Sequence, residues 1–345
     1  MPDNPFSISF GREPGSAVSR MAQTSVIEES FSAQNPPVMA YMLTGVRGSG
    51  KTVLLTELSN RFRKQKDWIV IDLNPERDLL QSLGAALCNQ AGLASVFQKA
   101  KLNLSLFGLG IEVDGIPPIT DPEIAIDRML EQVDKKKKKV LVTIDEVTSN
   151  THMKVFAASY QIFIRHHLPL FALMAGLYEN IDHLQNEKSL TFLHRTPKVK
   201  LEPLNTGAMA DRYEELLRID REKALEMARL TKGYPFAFQT LGYYCFREKA
   251  LYTQVLPKVR QALEEYVYRK IWSELSANDK RLVVAISESE SGRVKEVREI
   301  AHMKGNEFTP YRERLIRKGI IQSEQYGYIS FTLPFFDVFV KENSR

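Results

Sequence analysis

The sequence predicts an α/β fold over residues 38–204, a parallel sheet covered by helices on both faces. Three observations predict it. Short apolar runs alternate with helix-period patterns along this stretch, the signature of βαβ units. The run Val38–Leu43 leads into Gly45-Val46-Arg47-Gly48-Ser49-Gly50-Lys51-Thr52, and a helix pattern follows at once. A second apolar run, Val140–Ile144, ends in Asp145-Glu146.

The elements follow in order. Residues 1–37 are mixed, with Pro2, Pro5, Pro14, Pro36 and Pro37 and a helical stretch near Ala22–Phe31. Leu54, Leu55, Leu58 and Phe62 mark the helix after the glycine-rich turn. Trp68–Leu73 reads as a buried strand and Asp78–Ala91 as a helix. Residues 101–115 alternate with period two across Gly108, which predicts a β-hairpin inserted between helices. A helix over Glu123–Asp134 precedes the five lysines Lys135–Lys139, read as a solvated loop because like charges repel and stay wet. After the strand Val140–Ile144 come a helix, the strand Leu168–Ala175, a helix to about Arg195 and the strand Val199–Leu201. Beyond Pro203 the pattern is wholly helical to about Trp272. The expected organisation is an N-terminal segment (1–37), an α/β core (38–204), a helical unit (205–272) and a small mixed unit (273–345).

Composition narrows the function classes. The chain has 345 residues, 43% hydrophobic and 26% charged, which excludes wholesale disorder, collagen and a coiled-coil rod. No run of about 18 apolar residues exists, so no transmembrane helix is expected. The start MPDNPFSISFGREPG lacks a basic flank before an apolar core, so no secretory signal is expected there. Two cysteines, Cys88 and Cys245, make no disulfide framework and no zinc spacing. A reducing cytoplasm fits best. The net charge of +5 is compatible with nucleic acid but below that of a dedicated basic binder.

Residues 45–52 fit G-x-x-x-x-G-K-[ST] in full, in the strand-to-helix context the motif requires. Gly45, Gly48 and Gly50, with Ser49, let backbone N–H groups converge on phosphate oxygens at a helix N-terminus. Lys51 is expected to neutralise the β- and γ-phosphates, and Thr52 to offer its hydroxyl to Mg²⁺. Asp145 would hold Mg²⁺ through water, and Glu146 could orient and deprotonate the attacking water. The expected cofactors are ATP and Mg²⁺.

With these residues, the chain resembles an AAA+/STAND-type P-loop ATPase of the origin-recognition-like group. Val199–Leu204 resembles the strand ending in L-x-P-L that enters that family's lid. Gly233-Tyr234-Pro235 resembles the lid's G-x-P motif, which places Tyr234 and Pro235 on the nucleotide's adenine or ribose side. His194-Arg195 matches the family's Gly-Arg position before the fifth strand. Arg195 then either stabilises phosphate charge, in cis or across a subunit interface, or is an exposed arginine favoured by a helix C-terminus. The adenine-side box has two candidates, Gly11-Arg12-Glu13 and Ala17-Val18-Ser19-Arg20. The second is preferred because it directly precedes a helix and because Val18 and Ser19 could line an adenine pocket. Two departures bear on turnover. The region Leu173–Leu177 holds no Asn, Thr or Ser as a sensor, and the lid sequence GYPFAFQTLGYY holds no arginine. Fast autonomous hydrolysis is therefore not expected.

At the C-terminal end, Ser276-Ala277-Asn278-Asp279 opens a helix with Leu282, Val283, Ala285 and Ile286 on its apolar face. Val294–Met303 reads as a second helix. Thr309-Pro310 reads as N-cap and N1 of a third, Tyr311–Lys318, closed by Gly319. Ile320-Ile321 and Tyr328–Phe331 can pair around Gln325-Tyr326-Gly327, before a last helix Pro334–Lys341. This resembles the winged helix that the family often carries. In the third helix, Tyr311, Leu315, Ile316 and Gly319 face the core, with Arg312 partly buried and paired. Arg314 and Arg317 stand on the outer face as candidate DNA-phosphate contacts, with Lys318 at its edge. The overall expectation is an ASCE-type P-loop domain, a helical lid and a winged helix, acting as a slow or partner-stimulated ATPase switch. Its partners are ATP and ADP, then double-stranded DNA, a second copy or another protein. The alternatives are a signalling switch whose winged helix binds protein, and a nucleotide binder without useful turnover.

Overall fold

The computed structural model describes residues 3–9, 14–108, 115–323 and 325–344, with the backbone alone at 188–189 and 191–192. The chain forms two compact units. One comprises Met21–Thr44 and Lys51–Lys200; the other comprises Met1–Arg20, Gly45–Gly50 and Leu201–Arg345.

The first unit is a parallel α/β sandwich. Its elements are α1 (Met21–Ser32), β1 (Ala40–Thr44), α2 (Lys51–Arg63), β2 (Trp68–Leu73), α3 (Leu79–Cys88), α4 (Leu93–Lys99), α5 (Pro122–Lys135), β3 (Lys139–Ile144), α6 (Thr151–Arg165), β4 (Leu170–Gly176), α7 (Tyr178–Gln185) and β5 (Lys198–Lys200). The sheet order is β2-β3-β4-β1-β5, with every neighbouring pair parallel. β1 and β4 are buried along their whole length, as a sheet covered on both faces requires. Asp78, Asp121 and Asn150 cap α3, α5 and α6 with their side chains, each satisfying N–H groups the helix cannot. On one face, Phe31 of α1 packs on Tyr41, Phe62, Trp68 and Phe171.

Residues 101–115 correct the hairpin expectation. Ser105–Phe107 forms a single 3₁₀ turn, and 102–108 contain no strand; residues 109–114 lie outside the described residues. The alternation has another cause. Leu102, Leu104 and Phe107 are buried directly in the core, while the Asn103 side chain donates to the Ile116 carbonyl at 2.9 Å. Phe107 packs against Gly84 so closely that a Cβ there would lie 2.1 Å from its ring. The lysine run is corrected in part. Lys135–Lys137 are exposed, but Lys139 opens β3, and its ammonium donates to the Phe31 carbonyl at 3.0 Å. That ammonium lies over the Trp68 and Phe171 rings, and burial lowers its pKa.

The second unit is helical. It holds α8 (Thr206–Leu217), α9 (Arg221–Leu230), α10 (Pro235–Glu248), α11 (Tyr252–Leu263) and α12 (Arg269–Ser273), with a π-turn over Glu264–Tyr268 joining the last two. There follow α13 (Ala277–Glu288), α14 (Val294–Ile300), α15 (Gly305–Arg317), the antiparallel strands β6 (Ile321–Gln322) and β7 (Ser330–Phe331), and α16 (Phe336–Asn343). Arg293, just before α14, bridges Tyr328 in antiparallel fashion. Phe6 packs on Tyr213 and Phe238 in this unit, so the segment 1–37 is shared: its first residues belong here and α1 to the sheet.

Candidate functional site

The second unit carries the loop Gly45–Gly50. Gly48 and Gly50 have φ of +73° and +87°, a left-handed backbone that L-residues resist. At Gly48 the space is also closed, because an added Cβ would lie 2.1 Å from the Tyr234 hydroxyl oxygen. Tyr234 is buried and donates to the Arg47 carbonyl at 2.6 Å. Burial raises its phenol well above the ordinary range, so it stays a donor. Phe236 N–H donates to the Gly48 carbonyl at 3.3 Å. Pro235, first residue of α10, lies within 4 Å of a Cβ built on Gly50.

Arg20 reaches the same loop. Its guanidinium donates to the carbonyls of Ser49 at 3.1 Å and Glu202 at 2.5 Å. Burial lowers its pKa to about 10, against the opposing pull of Glu202, so it remains charged at neutral pH. Of its companions, Val18 is half-buried on the apolar core and Ser19 is exposed. The rival box Gly11-Arg12-Glu13 lies outside the described residues.

Two loop contacts had no sequence signal. Arg47 pairs with Glu274, just after α12, at 2.7 Å, and Val46 lies against Gly319 after α15. The Ser49 hydroxyl is buried and bonds to nothing among the described residues. Such an orphan costs about 1–3 kcal/mol, a cost that a ligand oxygen at the loop would offset.

The sheet unit carries Lys51, Thr52, Asp145 and Glu146. α2 begins at Lys51, which is half-buried. The Thr52 hydroxyl donates to Asp145 Oδ2 at 2.6 Å, although β4 lies between the strands that lead to each residue. Glu146 is exposed with φ +52°. A non-glycine residue there carries roughly 1–2 kcal/mol of strain, and such strain concentrates at functional sites. The turn is pinned because Val147 N–H donates to the Ala175 carbonyl at 2.9 Å. The hydroxyl and carboxylate oxygens of Thr52 and Asp145 are the hard donors that Mg²⁺ takes. Arg195 ends a 3₁₀ helix, exposed, three residues before β5.

The C-terminal cations are placed otherwise than expected. Helix α15 starts at Gly305 rather than Tyr311, with Pro310 inside it. Phe308 and Leu315 are both buried and extend one apolar stripe across the proline. Arg314 is tied to the buried Asp279 at 2.6 Å and lies over the Tyr311 ring. Lys318 is also largely buried, 3.8 Å from the same carboxylate. Arg317 pairs with Glu313 at 3.2 Å. The outer face therefore lacks the free arginine pair that the periodicity predicts. Arg312 is half-buried, as expected, and donates to the Ser323 hydroxyl.

Comparison with known proteins bears on the fold. A family model described as "Domain of unknown function (DUF8462)" matches residues 265–340. No curated protein matches the chain. The Walker-type ATPase PABY2304 of Pyrococcus abyssi superposes with a TM-score of 0.67 at 14% identity, over 94% of this chain and 96% of that one. The Aeropyrum pernix ORC2 protein, solved as ADPNP-ADP complexes, superposes with a TM-score of 0.59 at 13% identity, over 97% and 96%. The chain shares the fold of these two proteins.

Proposed function

We propose that the protein binds ATP with Mg²⁺ at the phosphate loop and hydrolyses it slowly, using nucleotide state as a conformational switch. The observation that carries this is the Thr52–Asp145 hydrogen bond, which follows a complete phosphate loop whose Gly48 and Gly50 adopt positive φ. On this reading the loop amides receive the phosphates, and Lys51 neutralises their charge. Thr52 and Asp145 hold Mg²⁺, which supplies charge stabilisation at the phosphoryl oxygens. Glu146 accepts the proton of the attacking water. Arg20, Tyr234 and Pro235 brace the loop. Turnover is slow because β4, buried to its end, offers no polar sensor and the lid stretch GYPFAFQTLGYY holds no arginine. Arg195 is exposed and could complete the site from a second copy.

The order helix, bridge, two helices and antiparallel pair over 277–331 supports reading the C-terminal segment as a winged helix. One observation favours the protein-binding alternative over DNA reading by α15: Arg314 and Lys318 are committed to Asp279. Turnover and duplex binding, measured together with and without nucleotide, test both readings. ATPase activity with no DNA binding leaves the protein-partner switch. The absence of both ATP binding and turnover refutes the proposal.

A further inference from the structure

The lysine run that the nucleotide reading leaves unused occupies one edge of the sheet. β2, β3 and β4 are parallel neighbours, so the loops preceding them share the edge opposite Asp145. These loops are hydrogen-bonded side by side. Lys139 N–H donates to the Asp67 carbonyl, and Val140 N–H to the Pro169 carbonyl, each at 2.8 Å. Adjacent strands lie about 4.8 Å apart, so the three loops span roughly 10–15 Å.

The charge there is one-sided. Lys64 and Lys66 precede β2, Lys135–Lys138 precede β3, and Arg165 ends α6 before β4. Among the described residues none of these seven forms an ion pair; in opposition stand Asp67, Asp134 and Asp127, whose carboxylate meets His166 of the loop before β4 at 2.6 Å. Helices α2, α5 and α6 end at this edge. Their dipoles subtract about half a charge each, roughly 1.5 in all, against an excess of four positive charges. The lysines thus exceed what capping three helix ends requires. Lys137 moreover holds φ +53°, where glycine is the easier residue.

We propose that this edge is a docking surface for the phosphate backbone of duplex nucleic acid, read without regard to sequence. Lysine ammonium groups act as point charges on phosphates. A membrane surface fits less well, because interfacial binding needs an apolar anchor and the apolar residues here, Trp68 and Leu168, are buried. Single strands fit less well because the one Trp, Tyr or Phe side chain at these loops, Trp68, is covered by Lys139, leaving only the exposed His166 and His167 to stack on bases. The surface is independent of the nucleotide reading and of α15.

The test is equilibrium binding of the full chain to a random-sequence duplex, without nucleotide, between about 50 and 200 mM salt. One variant combines Lys135→Gln, Lys136→Gln, Lys137→Gly and Lys138→Gln. A second combines Lys64→Gln with Lys66→Gln on the neighbouring loop, and a third, Lys304→Gln with Arg317→Gln, probes the C-terminal segment. The first variant should lose about tenfold or more in affinity at low salt. Its salt slope should shrink by about 0.9 per lost phosphate contact. The second should lose less in the same direction, and the third should bind as wild type. The proposal is overturned if the wild type does not bind, or if the first two bind as wild type while melting normally. Loss confined to the third variant assigns binding to the C-terminal segment, and loss of binding to anionic vesicles but not to duplex assigns the edge to lipid; either contradicts the proposal.

Discussion

Glu146 and Gly48 both hold positive φ, and each yields a prediction. Glu146 is exposed and held in a left-handed turn beside Asp145. Glu146→Gln keeps its size and hydrogen bonding but removes the base. ATP binding should persist while single-turnover hydrolysis falls about 10²–10⁴-fold; an unchanged rate assigns the base elsewhere. Gly48→Ala adds both backbone strain and a methyl 2.1 Å from the Tyr234 hydroxyl. It should lower stability by more than about 1 kcal/mol and weaken ATP binding, read by denaturant melts and nucleotide titration. The residues of the motif were legible because phosphate chemistry restricts both residue type and spacing. Arg20, Tyr234 and Pro235 were singled out only by a family resemblance, as adenine- or ribose-side residues; the structure brings all three to the phosphate loop. The Arg47–Glu274 pair was not legible, since nothing local connects positions 227 apart.

At the scale of elements, strands and helices of the sheet unit could be read because burial on both faces writes continuous apolar runs. β1 and β5 are displaced from their expected bounds by one or two residues. The failures have one form: a pattern states that residues are buried, not what buries them. Residues 102–107 alternate because Leu102, Leu104 and Phe107 enter the core singly, without a partner strand. Phe107→Ala should therefore cost about 3–5 kcal/mol by chemical denaturation, whereas a solvent-facing hairpin residue would cost little. Helix α15 fails similarly, since Phe308 carries the helix through Pro310. Its Arg314 was expected to face outward, yet the carboxylate that holds it caps α13, 35 residues away. Asp279→Ala removes that cap and leaves the largely buried Lys318 without this carboxylate. We expect a loss of about 2–4 kcal/mol in a urea melt; a change under about 0.5 kcal/mol would mean the cluster is incidental.

For the whole molecule, the parallel α/β class was legible, but the strand order β2-β3-β4-β1-β5 was not, because long-range pairing leaves no local trace. The division of residues 1–37 between two units was hidden for the same reason: Phe6 and Phe31 are both buried aromatics, and the sequence does not say in which core. Among the described residues no helix is long and apolar enough to cross a membrane. The central claim is that the loop ending in Lys51-Thr52 binds nucleotide with Mg²⁺. A ligand that binds only the folded chain stabilises it by about 2.7 kcal/mol at one hundred times its dissociation constant. Thermal unfolding of wild type and Lys51→Ala across a titration of ATP with Mg²⁺ tests this most directly. The account predicts a midpoint that climbs with ATP in the wild type, falls back when Mg²⁺ is chelated, and stays flat in a normally folded Lys51→Ala. An equal climb in both proteins, or none in the wild type, would contradict it.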